Sequence, residues 1–167
     1  MNNFIVTTTI FNPSLAVKKF SKIKNWHLVV VGDLKTPHGK YQKMKNITYL
    51  SPNMQKKIAP RLSKLIGWNC IQRRNIGYVY AKKNGAKLIA SVDDDNIPYK
   101  NWGQKILIGK NINSKIYNSN FDAFDPLSIF KFNSKIWHRG FPLQLVQDKP
   151  KLRKVIKKIT PDIQANL

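Results

Sequence analysis

Glutamate is absent from this 167-residue sequence, and its eight acidic residues are all aspartates, set against 30 lysines and arginines for a formal net charge of +22. Cysteine is nearly absent too. Cys70 stands alone, which excludes an intramolecular disulfide and a cysteine-rich zinc site and suits a reducing compartment. No apolar run approaches the length of a membrane span, and Met1-Asn2-Asn3-Phe4 lacks the charged start and long apolar core of a signal peptide. A cytoplasmic protein, at most peripheral to a membrane surface, is expected. Neither an internal repeat nor a GxGxxG motif occurs, so a dinucleotide site has no support.

What is present is strongly basic, and two accounts fit. A polyanionic partner, either nucleic acid or an anionic acceptor or surface, would match the charge. An A/T-rich coding sequence would enrich Lys, Asn and Ile, although it does not explain the missing glutamate. The length suits one α/β domain with a real core, so residues 1–167 are expected to form a single domain.

Three of the eight aspartates are consecutive, Asp93-Asp94-Asp95, and they end the most informative stretch of the chain. Upstream, Asn69 is placed to cap a helix that Asn84-Gly85 ends, with Gly85 taking a positive φ. Ile76, Val79 and Tyr80 recur at helical spacing and predict a face packed on a sheet, leaving Arg73, Arg74, Lys82 and Lys83 wetter. Leu88 to Val92 is a short apolar run with β-branched members, predicting an internal strand covered on both faces. Acids at the carboxyl end of a strand in an open α/β sheet face a ligand crevice. Three adjacent carboxylates also repel one another, and a hard divalent cation that shares substrate phosphates would offset the repulsion. Mn²⁺ or Mg²⁺ with a diphosphate is expected. The plainer reading is a solvated turn. A phosphatase of the haloacid dehalogenase type is disfavoured, because Asn96 stands where its motif wants Thr or Val.

The order Arg74-Asn75-x-Gly77, Ala81, Gly85-Ala86, apolar strand and Asp-x-Asp resembles the donor half of GT-A glycosyltransferases. More closely, Arg73 to Ala81 (RRNIGYVYA) and Asp93-Asp94-Asp95-Asn96 resemble the RKNIGYLYA and DDDN of STELLO-type glycosyltransferases, relatives of the reversibly glycosylated polypeptides. Trp26, Val29 to Asp33 and Lys35-Thr36-Pro37 are similar to that family's WKLVVVGDKKTP. Arg139 to Leu143 is similar to its WPRGFPL segment, with His138 in place of Pro. The resemblance implies a GT-A-like three-layer sandwich with a mostly parallel sheet and a metal-dependent glycosyltransferase using a UDP- or GDP-sugar. Thr8, Thr9 and Asp33 would then lie around base and ribose. Longer members continue into an Asp-rich segment, so a truncated C-terminus is expected.

Elsewhere, Phe4 to Ile10 and Trp26 to Val31 are dense in β-branched or apolar residues and predict two strands, with a helix between them capped by Asn12 and started by Pro13. Leu15, Phe20 and Ile23 are its expected apolar stripe, with Lys22 and Lys24 in its last turn. His38 reads as an exposed loop histidine. Ile47 to Leu50 predicts a strand, Pro52 to Leu65 a helical stretch, Ile116-Tyr117 a possible strand, and Lys149 to Lys158 a basic helix-like run.

Together these give a metal-dependent transferase in which Asp95 ligates the metal and Asp93 takes the ribose or a metal-bound water. The metal sits at Asp93 and Asp95 with Asp94 in support, Arg73, Arg74 or Arg139 meets the phosphates, and Asn75 is a further residue expected to bind the cofactor. Trp137 offers a flat face to sugar or base. The alternatives are a nucleic-acid-binding protein that uses its lysines on phosphates and its aromatics for stacking, or a nucleotide-binding domain without catalysis.

Overall fold

The structure, a computed structural model, describes residues 2–120, 122–130, 136–146 and 152–164. Two compact units divide the chain, Met1–Trp102 and Gly103–Leu167.

The first unit is built on four strands: β1 (Asn3–Thr9), β2 (His27–Gly32), β3 (Ile47–Leu50) and β4 (Leu88–Ser91). They lie in the order β3-β2-β1-β4 with every neighbouring pair parallel. Strand residues alternate between faces, and the core divides accordingly. Ile5, Leu28 and Val30 meet Ala16, Val17 and Phe20 of α1 (Leu15–Phe20) and Tyr41 of α2 (His38–Gln42). On the other face Phe4, Val6, Val29 and Val31 meet Ile76 and Ala81 of α5 (Arg74–Lys83). Ile58 and Leu62 close that layer from α3 (Pro52–Ile58) and α4 (Pro60–Ile66). This is the expected three-layer α/β arrangement with a mostly parallel sheet, consistent with a GT-A-like layout.

The position of β4 differs from expectation. It pairs with β1 and ends the four-stranded sheet, and its Ile89 is 40% exposed. An apolar run identifies a strand, but its neighbours are set by pairing with distant segments, here Asn3 to Val6. Smaller corrections follow the same logic. Ser14, not Asn12, caps α1 by accepting from the Val17 amide, which moves the buried stripe to Ala16, Val17 and Phe20 and leaves Leu15 exposed. The last turn of α1 therefore carries Lys18 and Lys19. Asn69 is no cap, since it adopts a left-handed φ of 58°, whereas Gly85 takes the expected positive φ of 77°. His38 opens α2 and its Nδ1 meets the Tyr49 hydroxyl at 2.5 Å, while burial pushes the Tyr49 phenol up to about 12.

The largest departure is Arg73, expected wet and found fully buried. Its guanidinium lies over the Trp68 ring, 3.7 Å from the centroid. Nε and Nη2 donate to Gln55 Oε1 at 2.9 and 2.5 Å, Nη2 also to Ser63 Oγ, and Nη1 to the carbonyls of Ser63 and Gly67. All five N–H donors are thus taken by protein oxygens. Burial lowers its pKa from the ordinary arginine value, with Asp33 opposing the shift.

In the second unit, β5 (Ile112–Ser119) and β6 (Leu152–Ile159) pair antiparallel, with Ile112 opposite Ile159 and Ile116 opposite Val155. The basic run expected to be helical is therefore a strand over the part described, because cross-strand pairing of its β-branched residues outweighs local pattern. Asp125 accepts from the Leu127 amide at 3.0 Å and from His138 Nδ1 at 2.9 Å. Burial opposes ionisation of Asp125, but these hydrogen bonds and the amide of His138 outweigh it and hold the carboxyl below its usual range.

Two expected outcomes test this packing. A Cβ on Gly77 would run into Val6 Cγ1 and Val31 Cγ2. Gly77→Ala, favourable by up to about 1 kcal/mol in an open helix, should instead destabilise by about 1–3 kcal/mol. A higher urea midpoint in the variant would contradict the close helix–sheet contact. Arg73→Lys should lose about 3 kcal/mol or more, because an ammonium cannot supply the planar five-donor fork and buried acceptors are left unmet; a denaturation curve matching wild type would show those bonds to be dispensable.

Candidate functional site

Parallel pairing brings the carboxyl ends of β1, β2 and β4 to one edge of the sheet. From β1 the chain winds outward through β2 to β3, then returns to place β4 on the other side of β1. The winding reverses between β1 and β4, and a crevice opens outside strand ends at such a point. A cavity of about 410 Å³ lies there, lined by Thr8 to Phe11, Asp33, Asn69 to Ile71, Arg74 and Asp93 to Asp95. Seven residues expected from the sequence therefore converge: Thr8, Thr9, Asp33, Arg74, Asp93, Asp94 and Asp95.

The three carboxylates are held in three different ways. Asp93 pairs through Oδ1 with Arg74 Nη2 at 2.5 Å, and Arg74 Nη1 reaches Ser91 Oγ, itself 2.6 Å from the Tyr78 hydroxyl. Asp94 is tied down, because the Thr9 hydroxyl donates to its Oδ2 and the Ser14 hydroxyl donates to its carbonyl. Asp95 is exposed and has no hydrogen-bond or ion-pair partner among the described residues. Repulsion in the triplet is thus offset by one guanidinium and one hydroxyl, with one carboxylate left over. Arg74 Nε is buried without a partner, so the one cation among the lining residues is incompletely satisfied.

The opposite wall is fixed by Asp33, whose side chain is almost entirely buried. Its Oδ1 accepts from the Leu34 amide at 2.7 Å and its Oδ2 from the Cys70 amide at 3.3 Å. Thr36 Oγ1 accepts from the Asp33 amide and donates to the Thr9 carbonyl at 2.6 Å, locking the ends of β1 and β2 together. Thr8 donates to the Val31 carbonyl at 2.9 Å. Asp33 therefore carries the turn at Asn69 to Ile71, which sequence reasoning did not place in the site. Its only local signal was the Gly67-Trp68-Asn69 turn; Arg73 holds the Gly67 carbonyl from beneath.

Other expected site residues are not among those lining this cavity. Arg73 is sealed under the cavity, and Asn75 is exposed on α5 outside the lining. Trp137 and Arg139 belong to the second unit, where both are exposed. No three acidic, histidine or cysteine side chains converge to form a ready metal cage among the described residues. The donor set instead suits a hard cation that takes one or two carboxylates and completes its shell with phosphate and water: Asp95 is free, and only Oδ1 of Asp93 is engaged by Arg74.

Known proteins similar to this chain include two from Arabidopsis thaliana. It is 27% identical over 154 residues to a protein named probable glycosyltransferase STELLO2, and 26% identical over 153 residues to one named probable glycosyltransferase STELLO1. Each match covers 86% of this chain and 20% of the relative, so the chain spans about a fifth of the length of the relatives it matches. No family model matches the sequence. At this identity the likeness is to glycosyltransferase-like proteins as a class.

Proposed function

We propose that this chain is the donor-binding part of a metal-dependent glycosyltransferase, moving a sugar from a UDP- or GDP-sugar to an acceptor. The observation that carries this reading is the cavity at the point where the winding of the sheet reverses, which gathers Thr8, Thr9, Asp33, Arg74 and Asp93 to Asp95. Similarity to proteins named as probable glycosyltransferases supports it.

In this reading Thr8, Thr9 and Asp33 border the nucleoside, on the wall made rigid by Thr36. Asp93 and Asp95 would hold Mn²⁺ or Mg²⁺, and Asp94, fastened by Thr9 and Ser14, keeps the triplet at the strand end. The bound cation would supply charge stabilisation to the departing diphosphate. Breaking the bond between the anomeric carbon and the phosphate oxygen leaves negative charge on that diphosphate, and Arg74 lies in the same cavity to meet it. Arg74 can exchange Asp93 for a phosphate oxygen, a change of partner that keeps its charge compensated. The acceptor oxygen bonds the anomeric carbon as the carbon–oxygen bond to the diphosphate breaks, the diphosphate leaves with that electron pair, and the hydroxyl proton passes to water.

Melting temperature tests the arrangement. A ligand specific to the folded state adds roughly 2.7 kcal/mol at a hundredfold excess over Kd, or about 5–10 °C for a domain of this size. UDP or GDP with Mn²⁺ should raise the melting point by that amount, each component alone should do much less, and Asp95→Asn should abolish the synergy. Equal responses from wild type and Asp95→Asn would remove Asp95 from the metal site.

A further inference from the structure

A second cavity in the first unit, of about 490 Å³, is lined by Asn12, Pro13, Lys18, Lys40, Lys43 and Met44. Its charge is all of one sign. Lys18 comes from α1, and Lys40 and Lys43 flank the buried Tyr41. None of the three ammonium groups has a carboxylate or hydrogen-bond partner among the described residues. Like charges repel, and no acid in the lining relieves them.

The two cavities share a wall. Ile10 and Phe11 line the carboxylate cavity, and the next two residues, Asn12 and Pro13, line the lysine cavity. Lys43 directly follows α2, and of the two helices beside the lysines one is tied to the Asp triplet and the other to Phe11. Ser14, the cap of α1, donates to the Asp94 carbonyl, and Tyr41 of α2 donates to the Phe11 carbonyl at 3.0 Å. A group held by the lysines therefore sits one wall away from the Asp triplet.

We infer that the lysine cavity binds a phosphoryl group of the acceptor and so presents a phosphorylated acceptor beside the donor cavity. This rests on the donor reading given above. Lysine meets phosphate as a point charge, and a phosphomonoester, with about two negative charges and three acceptor oxygens, matches three unpaired ammonium groups better than a single carboxylate does. The phosphate can belong to a soluble metabolite or to a lipid headgroup, and both present the same chemistry to the lysines.

Methionine methyl NMR tests the site, because Met44 lines it while Met54, on α3, does not. Glycerol 3-phosphate should move the Met44 methyl signal saturably and leave Met54 in place, with glycerol as the blank. If only vesicles containing phosphatidic acid produce the shift, and phosphatidylcholine vesicles do not, the phosphate is lipid-borne. The combined variant Lys18→Gln, Lys40→Gln, Lys43→Gln should raise Kd at least about tenfold, the loss of one charge-assisted hydrogen bond, while retaining the melting response to UDP or GDP with Mn²⁺. Met44 and Met54 drifting together without saturation, or an unchanged Kd in the triple variant, would overturn the inference. The donor reading fails separately, through absence of the nucleotide response in wild type. In that case a saturable Met44 shift would leave an anion site and remove its acceptor role.

Discussion

Parallel pairing of β1 with both β2 and β4 is the constraint on which the site depends. Parallel strands finish at the same edge, so Thr9, Asp33 and Asp93 are brought together although 60 residues separate the second from the third. The reversal of winding at β1 sets the ends of β1 and β4 side by side at that edge, where the cavity lies. Polar ties then hold the opening in shape. Thr36 bridges the ends of β1 and β2, Asp33 holds the Cys70 amide, and Arg73 props the same turn through the Gly67 carbonyl. A buried arginine with every donor satisfied is costly to disturb, which makes Arg73 a support for the cavity rather than a group within it.

Against the net charge of +22, half of all the acids in the sequence line this one cavity, as Asp33 and Asp93 to Asp95. Their environments differ. Asp33 is spent on backbone amides, Asp94 is fastened by Thr9, Asp93 is shared with Arg74, and Asp95 remains available. A wholly structural cluster would be expected to neutralise all of its members. The lysines at the neighbouring cavity show the same lack of compensation with opposite sign among the described residues, so the segment Ile10 to Pro13 runs between a carboxylate-lined cavity and a lysine-lined one.

Much of this was legible in the sequence. The β-branched runs marked β1, β2 and β3 close to their observed bounds, and Gly85 marked the turn before β4. The aspartate triplet after an apolar run marked the carboxyl edge. Non-local pairing was not legible: β4 reads as an internal strand, yet the sheet ends there, and the basic run of β6 reads as helical until Ile116 and Ile112 pair with it. Arg73 was misplaced for a related reason. Beside Arg74 at the start of α5 it looks like a surface residue, while the groups that bury it, Gln55, Ser63 and Trp68, come from preceding segments. His38 and Ser14 likewise owe their roles to partners far along the chain, Tyr49 and Asp94.

The most direct test of the central claim is to locate the metal and nucleotide together. In ¹⁵N-labelled protein, a substoichiometric amount of Mn²⁺ broadens amide signals near where it binds, and adding UDP or GDP should sharpen the selectivity of that effect. Nucleotide-dependent broadening should centre on Asp93 to Asp95 and reach Thr8 to Phe11 and Asn69 to Ile71, with the amides of β3 spared. Broadening that ignores the nucleotide, or that centres away from the carboxyl ends of β1 and β4, would contradict the claim.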